Sequence, residues 1–301
     1  MGMTLKPYLQ LMRPANIMTA ISDVVAGAAI AILYMDRYTG SASEPLSWGV
    51  LAWLSLATIG LYGGGVVFND VFDAKLDAEE RPERPIPSGK VSLRAAAGLG
   101  TALFAVGILA AMATTQVAVA IAVAIVGMCL LYDRWAKHYA LAGPIAMGLC
   151  RGLNLMLGMT YLAGALPDSW FLAVIPVVYI AAVTTISRDE VHGGNRFPLV
   201  LSALLYAAVI AAIVYFGIWR SGVTLGFALV AVFALFIYRP LFRAIQTLAA
   251  ADVRTSVKHG VLGLVFMNAV WASAAGLWVL PIIVLMLFPL SIWMAKAYAV
   301  T

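Results

Sequence analysis

The sequence predicts an all-α fold, a polytopic membrane bundle of nine or ten transmembrane helices. Three observations lead there. The chain of 301 residues is 63% hydrophobic and only 11% charged, against about 45–50% and about 25% in soluble domains. Its mean hydropathy is +0.96. Its apolar residues fall in runs of about 17–25, the length that crosses a bilayer as a helix. A soluble fold has no core large enough for so much apolar side chain, so lipid must solvate most of the surface. A secreted enzyme, a nucleic-acid-binding module, a coiled coil and a disordered chain are thereby excluded. The pI of about 9.2 and net charge of +5 read as the basic bias of cytoplasmic loops. Cys129 and Cys150 sit in apolar runs and indicate neither a disulfide framework nor a metal knuckle.

The runs lie near 15–35, 48–69, 93–113, 115–132, 140–162, 169–187, 197–217, 222–238, 257–276 and 279–297. The first follows Arg13-Pro14 and lacks a small-residue cleavage site, which marks a membrane helix rather than a signal peptide. The last two share an almost unbroken apolar stretch, 261–295, in which Gly276 and Pro281 mark a turn. No stretch reads as a linker or separate soluble unit, so 1–301 is expected to form one domain. The polar residues concentrate at the N-terminus, at 69–94, at 133–139 with 188–196, and at 239–259. These segments share one side, which carries most of the Lys and Arg, whereas Arg37 and Arg220 fall on the other. The basic side is expected to face the cytoplasm of a cell membrane, a bacterial inner membrane in the first instance. Lys296 joins it if there are ten helices and leaves it if there are nine.

Residues 69–94 stand out. Six of the fourteen acidic residues are here: Asp70, Asp73, Asp77, Glu79, Glu80 and Glu83. If the second membrane helix continues through this stretch, Asn69, Asp70, Asp73 and Asp77 share one face within about 100°, and Asp70 to Asp77 spans about 10 Å. That row is too long for one ion held by protein alone. It suits carboxylates and an amide that hold Mg²⁺ against substrate phosphates, since Mg²⁺ keeps water and phosphate among its ligands. Arg81, Arg84 and Lys90 follow at once, as a diphosphate site requires. The plainer reading is a solvated loop of mixed charge. Against it, the acids begin directly at a helix end, and Gly63-Gly64-Gly65 just before them permits close backbone approach.

Asn69-Asp70-x-x-Asp73-x-x-x-Asp77, followed by Arg81 and Arg84-Pro85, resembles the first aspartate-rich motif of the UbiA superfamily of intramembrane prenyltransferases. Arg13-Pro14 before helix one and Tyr132 with Arg134 and Lys137 after helix four extend the likeness over nearly the whole chain. The resemblance implies that Asn69, Asp70, Asp73 and Asp77 hold Mg²⁺ and that Arg81, Arg84 and Lys137 contact the diphosphate, with Lys90 and Arg134 as further diphosphate-binding residues. It makes Asp70, Asp73, Asp77 and Lys137 the catalytic set, and polyisoprenyl diphosphate the donor. The second family motif is thinned here to Ser187-Arg188-Asp189-Glu190-Val191-His192, in which Asp189 is the candidate ligand of a second Mg²⁺ and Arg188 a further diphosphate contact. The Glu-Arg-Pro-Glu-Arg-Pro-Ile-Pro-Ser-Gly stretch, SRDEVHGG and LCRGLNLMLG look most like the EboC subgroup, which implies a polar, cyclitol-like acceptor; an aromatic acceptor is the other expectation. Rival readings on the same motif are a transporter or lipid-carrier scaffold, and a membrane terpene cyclase or phosphatase.

Arg151 and Asn154 in helix five, and Asp23 with Asn16 in helix one, are polar residues at membrane depth. A charge there must face the bundle interior or a polar cavity. Two readings stand side by side. Either Arg151 and Asp23 brace the bundle as an ion pair, or Asp23, Arg151 and Asn154, together with Tyr132, line the acceptor pocket.

Overall fold

The computed structural model describes residues 5–39, 46–187, 195–218 and 224–298. Among these, all regular structure is helical. Short α1 (Lys6–Met12) precedes α2 (Pro14–Thr39), then α3 (Trp48–Phe72), short α4 (Ala74–Glu80), α5 (Leu93–Met112) and α6 (Gln116–Arg134). After a 3₁₀ turn at Ala136–His138 come α7 (Ala142–Met159), a four-residue α8 (Leu166–Ser169), α9 (Val174–Ser187) and α10 (Arg196–Ile213). The chain ends in α11 (Thr224–Thr247), α12 (Ala250–Ala274) and α13 (Val279–Tyr298). Among the described residues, eight helical segments are long and apolar enough to cross a membrane. One of them, Ala142–Ser187, is 46 residues long, ample for two crossings joined by the 3₁₀ turns on either side of α8. Counted twice, it brings the spans to nine of the ten expected; a helix, α12, also lies at the tenth place, 257–276, but is not among the segments apolar enough to cross.

The boundaries differ from expectation in two informative ways. The polar stretch 239–259 is not a loop: α11 runs on to Thr247, and α12 starts at Ala250. The two join through Leu248 in the left-handed region, φ 53°, with Arg243 paired to Asp252 at 3.0 Å. A helix keeps its backbone satisfied whether its side chains meet lipid or water, so the change to polar residues marks the membrane edge rather than the helix end. Helix α3 ends at Phe72, and Asp73 is a turn residue before α4. Even so, the Asp73 N–H donates to Asn69 O at 3.0 Å and the Asp77 N–H to Asp73 O at 2.8 Å, so the acids keep nearly helical spacing.

Helix α2 is the hub. It packs on α3, α7, α12 and α13, and its apolar window is almost wholly buried. Its run of Ala and Gly permits this, because small residues let backbones approach where no hydrophobic force separates helix from lipid. Gly27 meets the backbone of Leu155, and Gly158 of α7 meets that of Val24, so closely that neither position has space for a Cβ. The Gly63–Gly65 run does comparable work: Gly64 seats Phe104 of α5 and Gly65 faces Cys129 of α6. It serves helix packing, a role that its place before the acids does not reveal.

Candidate active site

The expected acids gather at one end of the bundle, each against a cation supplied by a different segment. Arg13 sits at the junction of α1 and α2 in the left-handed region, φ 46°, and Pro14 opens α2 where its missing N–H costs nothing. The sharp junction turns the Arg13 guanidinium onto buried Asp70, at 2.5 Å. Arg84 reaches Asp77 at 2.6 Å and Asp70 at 3.4 Å. Its loop is anchored by a small apolar cluster, in which Val91 and Ile86 pack with Leu11 of α1 and Val67 of α3. Lys137, on the 3₁₀ turn after α6, pairs with Asp73 at 2.6 Å. Asn69 donates its amide to Asp133 Oδ1 at 2.9 Å.

Two cavities flank this row. The outer one, about 420 Å³, is bounded by Arg13, Asp70, Arg81, Glu83, Arg84 and the end of α13. The inner one, about 330 Å³, runs from Asn69, Tyr132 and Asp133 at the charged end down to Tyr62 and Arg151, with Ile180, Val183, Val261 and Leu264 among its apolar walls. Arg13 borders both. Cys129 and Cys150 face each other across the inner wall as free thiols.

Below the inner cavity lies a buried polar network. Arg151 donates to Asp23 Oδ2 at 2.8 Å and to Thr19 Oγ1 at 2.8 Å, and lies 4.9 Å from the centre of the Tyr62 ring. Asp23 also accepts from Asn154 at 3.1 Å and from Asn268 at 2.7 Å. Asn154 in turn accepts from Thr58 at 2.5 Å. Of the residues proposed for an acceptor pocket, Tyr132 and Arg151 line the cavity; Asp23 and Asn154 stand behind Arg151 and hold it.

The expected diphosphate contacts are thus divided. Arg84 and Lys137 are within the ion-paired row, and Arg81 borders the outer cavity. Lys90 and Arg134 are exposed and line neither cavity. Arg188, Asp189, Glu190 and His192 lie outside the described residues. Sequence reasoning overlooked Arg13 as a partner of Asp70, Asn268 and Thr58 in the network, and above all Asp133. An acid inside the Tyr132…Lys137 element was a legible signal for the last of these.

Among the described residues, no three His, Cys, Asp or Glu side chains converge to hold a metal ion by themselves. The donors present are hard oxygens: three carboxylates and the Asn69 amide. That set fits Mg²⁺ of the kind bound by one or two carboxylates and completed by water and substrate phosphate.

Comparison with known proteins decides the family, because the model of the UbiA prenyltransferase family matches residues 28–256. The chain belongs to that family. A digeranylgeranylglyceryl phosphate synthase of Methanoculleus marisnigri is 30% identical over 293 residues, covering 91% of this chain and 99% of that protein. The enzymes of the same name from Methanothrix thermoacetophila and Saccharolobus solfataricus are 32% and 29% identical. This chain spans just under two thirds of their length, 65% and 63%. A UbiA homologue from Aeropyrum pernix K1 superposes with a TM-score of 0.67 at 18% identity, over 84% of this chain and 96% of that one. A UbiA homologue from Archaeoglobus fulgidus, bound to GPP and Mg²⁺, gives 0.57 at 15% identity over 90% of this chain and 98% of that one. At such identities the likeness is one of fold, and it places this membrane bundle among the UbiA structures.

Proposed function

We infer that this protein, as a single domain, transfers a prenyl group from a polyisoprenyl diphosphate to a hydroxyl-bearing acceptor, with Mg²⁺ as cofactor and its charged end on the cytoplasmic side. One observation carries the reading: a row of carboxylates already neutralised by Arg13, Arg84 and Lys137 at the mouth of a cavity in a membrane bundle. In the resting site acids and bases occupy one another. A diphosphate offers the guanidinium and ammonium groups stronger, multidentate acceptors, and frees Asp70, Asp73 and Asp77, with Asn69, for a metal. Bound there, Mg²⁺ would offset the charge that builds on the leaving diphosphate.

The chain's own groups do the rest. Arg84 and Lys137 hold phosphate oxygens, with Arg81 at the outer rim. Arg188 and Asp189 belong to the same reading, as a further diphosphate contact and the ligand of a second Mg²⁺. The acceptor hydroxyl attacks C1 of the prenyl chain, the C1–O bond breaks with its electron pair leaving on diphosphate, and the hydroxyl proton is released. The apolar inner walls keep water from the cationic carbon. The names of the curated relatives point, for those proteins, to a glyceryl phosphate product; the polar groups of the inner cavity support a polar acceptor here too.

The test is acceptor dependence. Purified protein with Mg²⁺ and geranylgeranyl diphosphate is expected to release diphosphate only when an acceptor is added. Release without any acceptor would favour a cyclase or phosphatase. Donor binding with no release under any acceptor would favour a carrier.

A further inference from the structure

We propose that Cys129 and Cys150 form a modification site: a dithiol on the wall of the inner cavity that a small peroxide oxidises to an intramolecular disulfide, in which form the protein transfers prenyl groups more slowly. The loss of rate rests on the prenyltransferase reading; the site itself does not.

The chain has only two cysteines, and the fold brings them together from different helices. Cys129 of α6 and Cys150 of α7 lie with their Sγ atoms 3.9 Å apart, close enough for the S–H of one to donate to the sulfur of the other. Both are half-buried, and both line the inner cavity. A free cysteine usually packs as a small hydrophobe; this pair instead faces a space that a small neutral oxidant can enter. The site also adjoins both polar layers of the bundle. The Cys129 thiol packs where Gly65 of α3 has no side chain, since a Cβ there would lie 2.9 Å from Sγ. One helical turn on from Gly65 and Cys129 come Asn69 and Asp133, joined at 2.9 Å. Cys150 directly precedes Arg151, which holds Asp23 at 2.8 Å.

The chemistry balances with one hydrogen peroxide. One thiol sulfur attacks the O–O bond, which breaks to leave a sulfenic acid and one water. The second sulfur then attacks the first; the S–O bond breaks, the S–S bond forms, and the oxygen leaves as a second water. The two thiols together give up two electrons and two protons, and the peroxide takes them. A disulfide requires the sulfurs to be about 2.05 Å apart. Reaching that from 3.9 Å turns the two side chains or shifts α6 against α7. Either movement reshapes the inner wall, one turn from Asn69 and beside Arg151. A displacement of about 1 Å in groups that position a substrate can cost about 10²-fold in rate. A reducing thiol reverses the bond through a mixed disulfide.

The experiment treats the purified, reduced full chain with hydrogen peroxide and reads thiols by alkylation and peptide mass, and prenyl transfer by rate. The wild type is expected to lose both thiols together, to yield a peptide pair joined through Cys129 and Cys150, and to slow by about tenfold. Added dithiothreitol is expected to restore thiols and rate alike. Cys129→Ser and Cys150→Ser, each compared with its own untreated form, are expected to give no cross-link and to keep their rate within about twofold. Thiols that stay alkylatable, oxidation that stops on one sulfur, or disulfides formed only between chains would each overturn the proposal. So would a cross-linked wild type at full rate, or serine variants slowed by peroxide as much as the wild type. The wild-type cross-link decides the site even if a variant fails to fold. A reduced protein without turnover would strike the prenyltransferase reading instead, because the cross-link is read by mass alone.

Discussion

Replacing Asp73 with alanine is expected to lower prenyl transfer by roughly 10²–10³-fold, the usual cost of losing one preorganised electrostatic contact to the reacting charge. Asp73 combines access with engagement: it is partly exposed where Asp70 and Asp77 are buried, and it holds Lys137, an expected diphosphate contact. The substitution removes a metal donor and releases that lysine at once. Lys75→Ala and Glu80→Ala, on exposed positions of α4 just after it, are expected to stay within about threefold of wild type, as substitutions away from such features usually do. Steady-state rates with saturating donor check both. An Asp73→Ala enzyme that kept more than a tenth of its activity would remove this residue from the chemistry.

Arg151→Met is expected to cost about 3–5 kcal/mol, because it leaves Asp23 buried and ionised with only amides for company. Breaking the pair from either side should hurt, but the two losses overlap. A double variant, Asp23→Asn with Arg151→Met, is therefore expected to be clearly more stable than the sum of the single losses predicts. Thermal unfolding in detergent, followed as Tm for the wild type and the three variants, reads the coupling. Strict additivity would mean that the 2.8 Å pair does not brace the bundle. The network ties three helices together at one carboxylate: Asp23 of α2 is held from α7 by Arg151 and Asn154 and from α12 by Asn268.

Much of this was legible in the chain. Helix positions follow from apolar runs, since lipid imposes one length and one backbone solution. The acid row was readable because a chain so poor in charge places eleven charged residues between 69 and 94. The Arg151–Asp23 pair was one of two readings; the packing shows the pair and also sets Arg151 on the wall of the inner cavity. What could not be read is which cation meets which acid. Arg13 lies 57 positions from Asp70, and Lys137 lies 64 from Asp73; such partners depend on how helices rotate about one another. Lys90 and Arg134 show the converse, charged residues beside the motif whose helix or loop faces them away. Asn268 and Thr58 were missed for the same reason, as single polar residues inside apolar runs with no periodic signal to mark their partners.

The central claim is that the ion-paired row exchanges its partners for Mg²⁺ and a prenyl diphosphate together. Calorimetric titration of Mg²⁺ into the purified protein, alone and with geranylgeranyl thiolodiphosphate, tests this most directly. The account predicts weak or no Mg²⁺ binding alone, saturable binding once the analogue is present, and loss of both in Asp70→Ala/Asp73→Ala. Analogue binding that proceeds equally well without Mg²⁺, or that survives the double substitution, would contradict it.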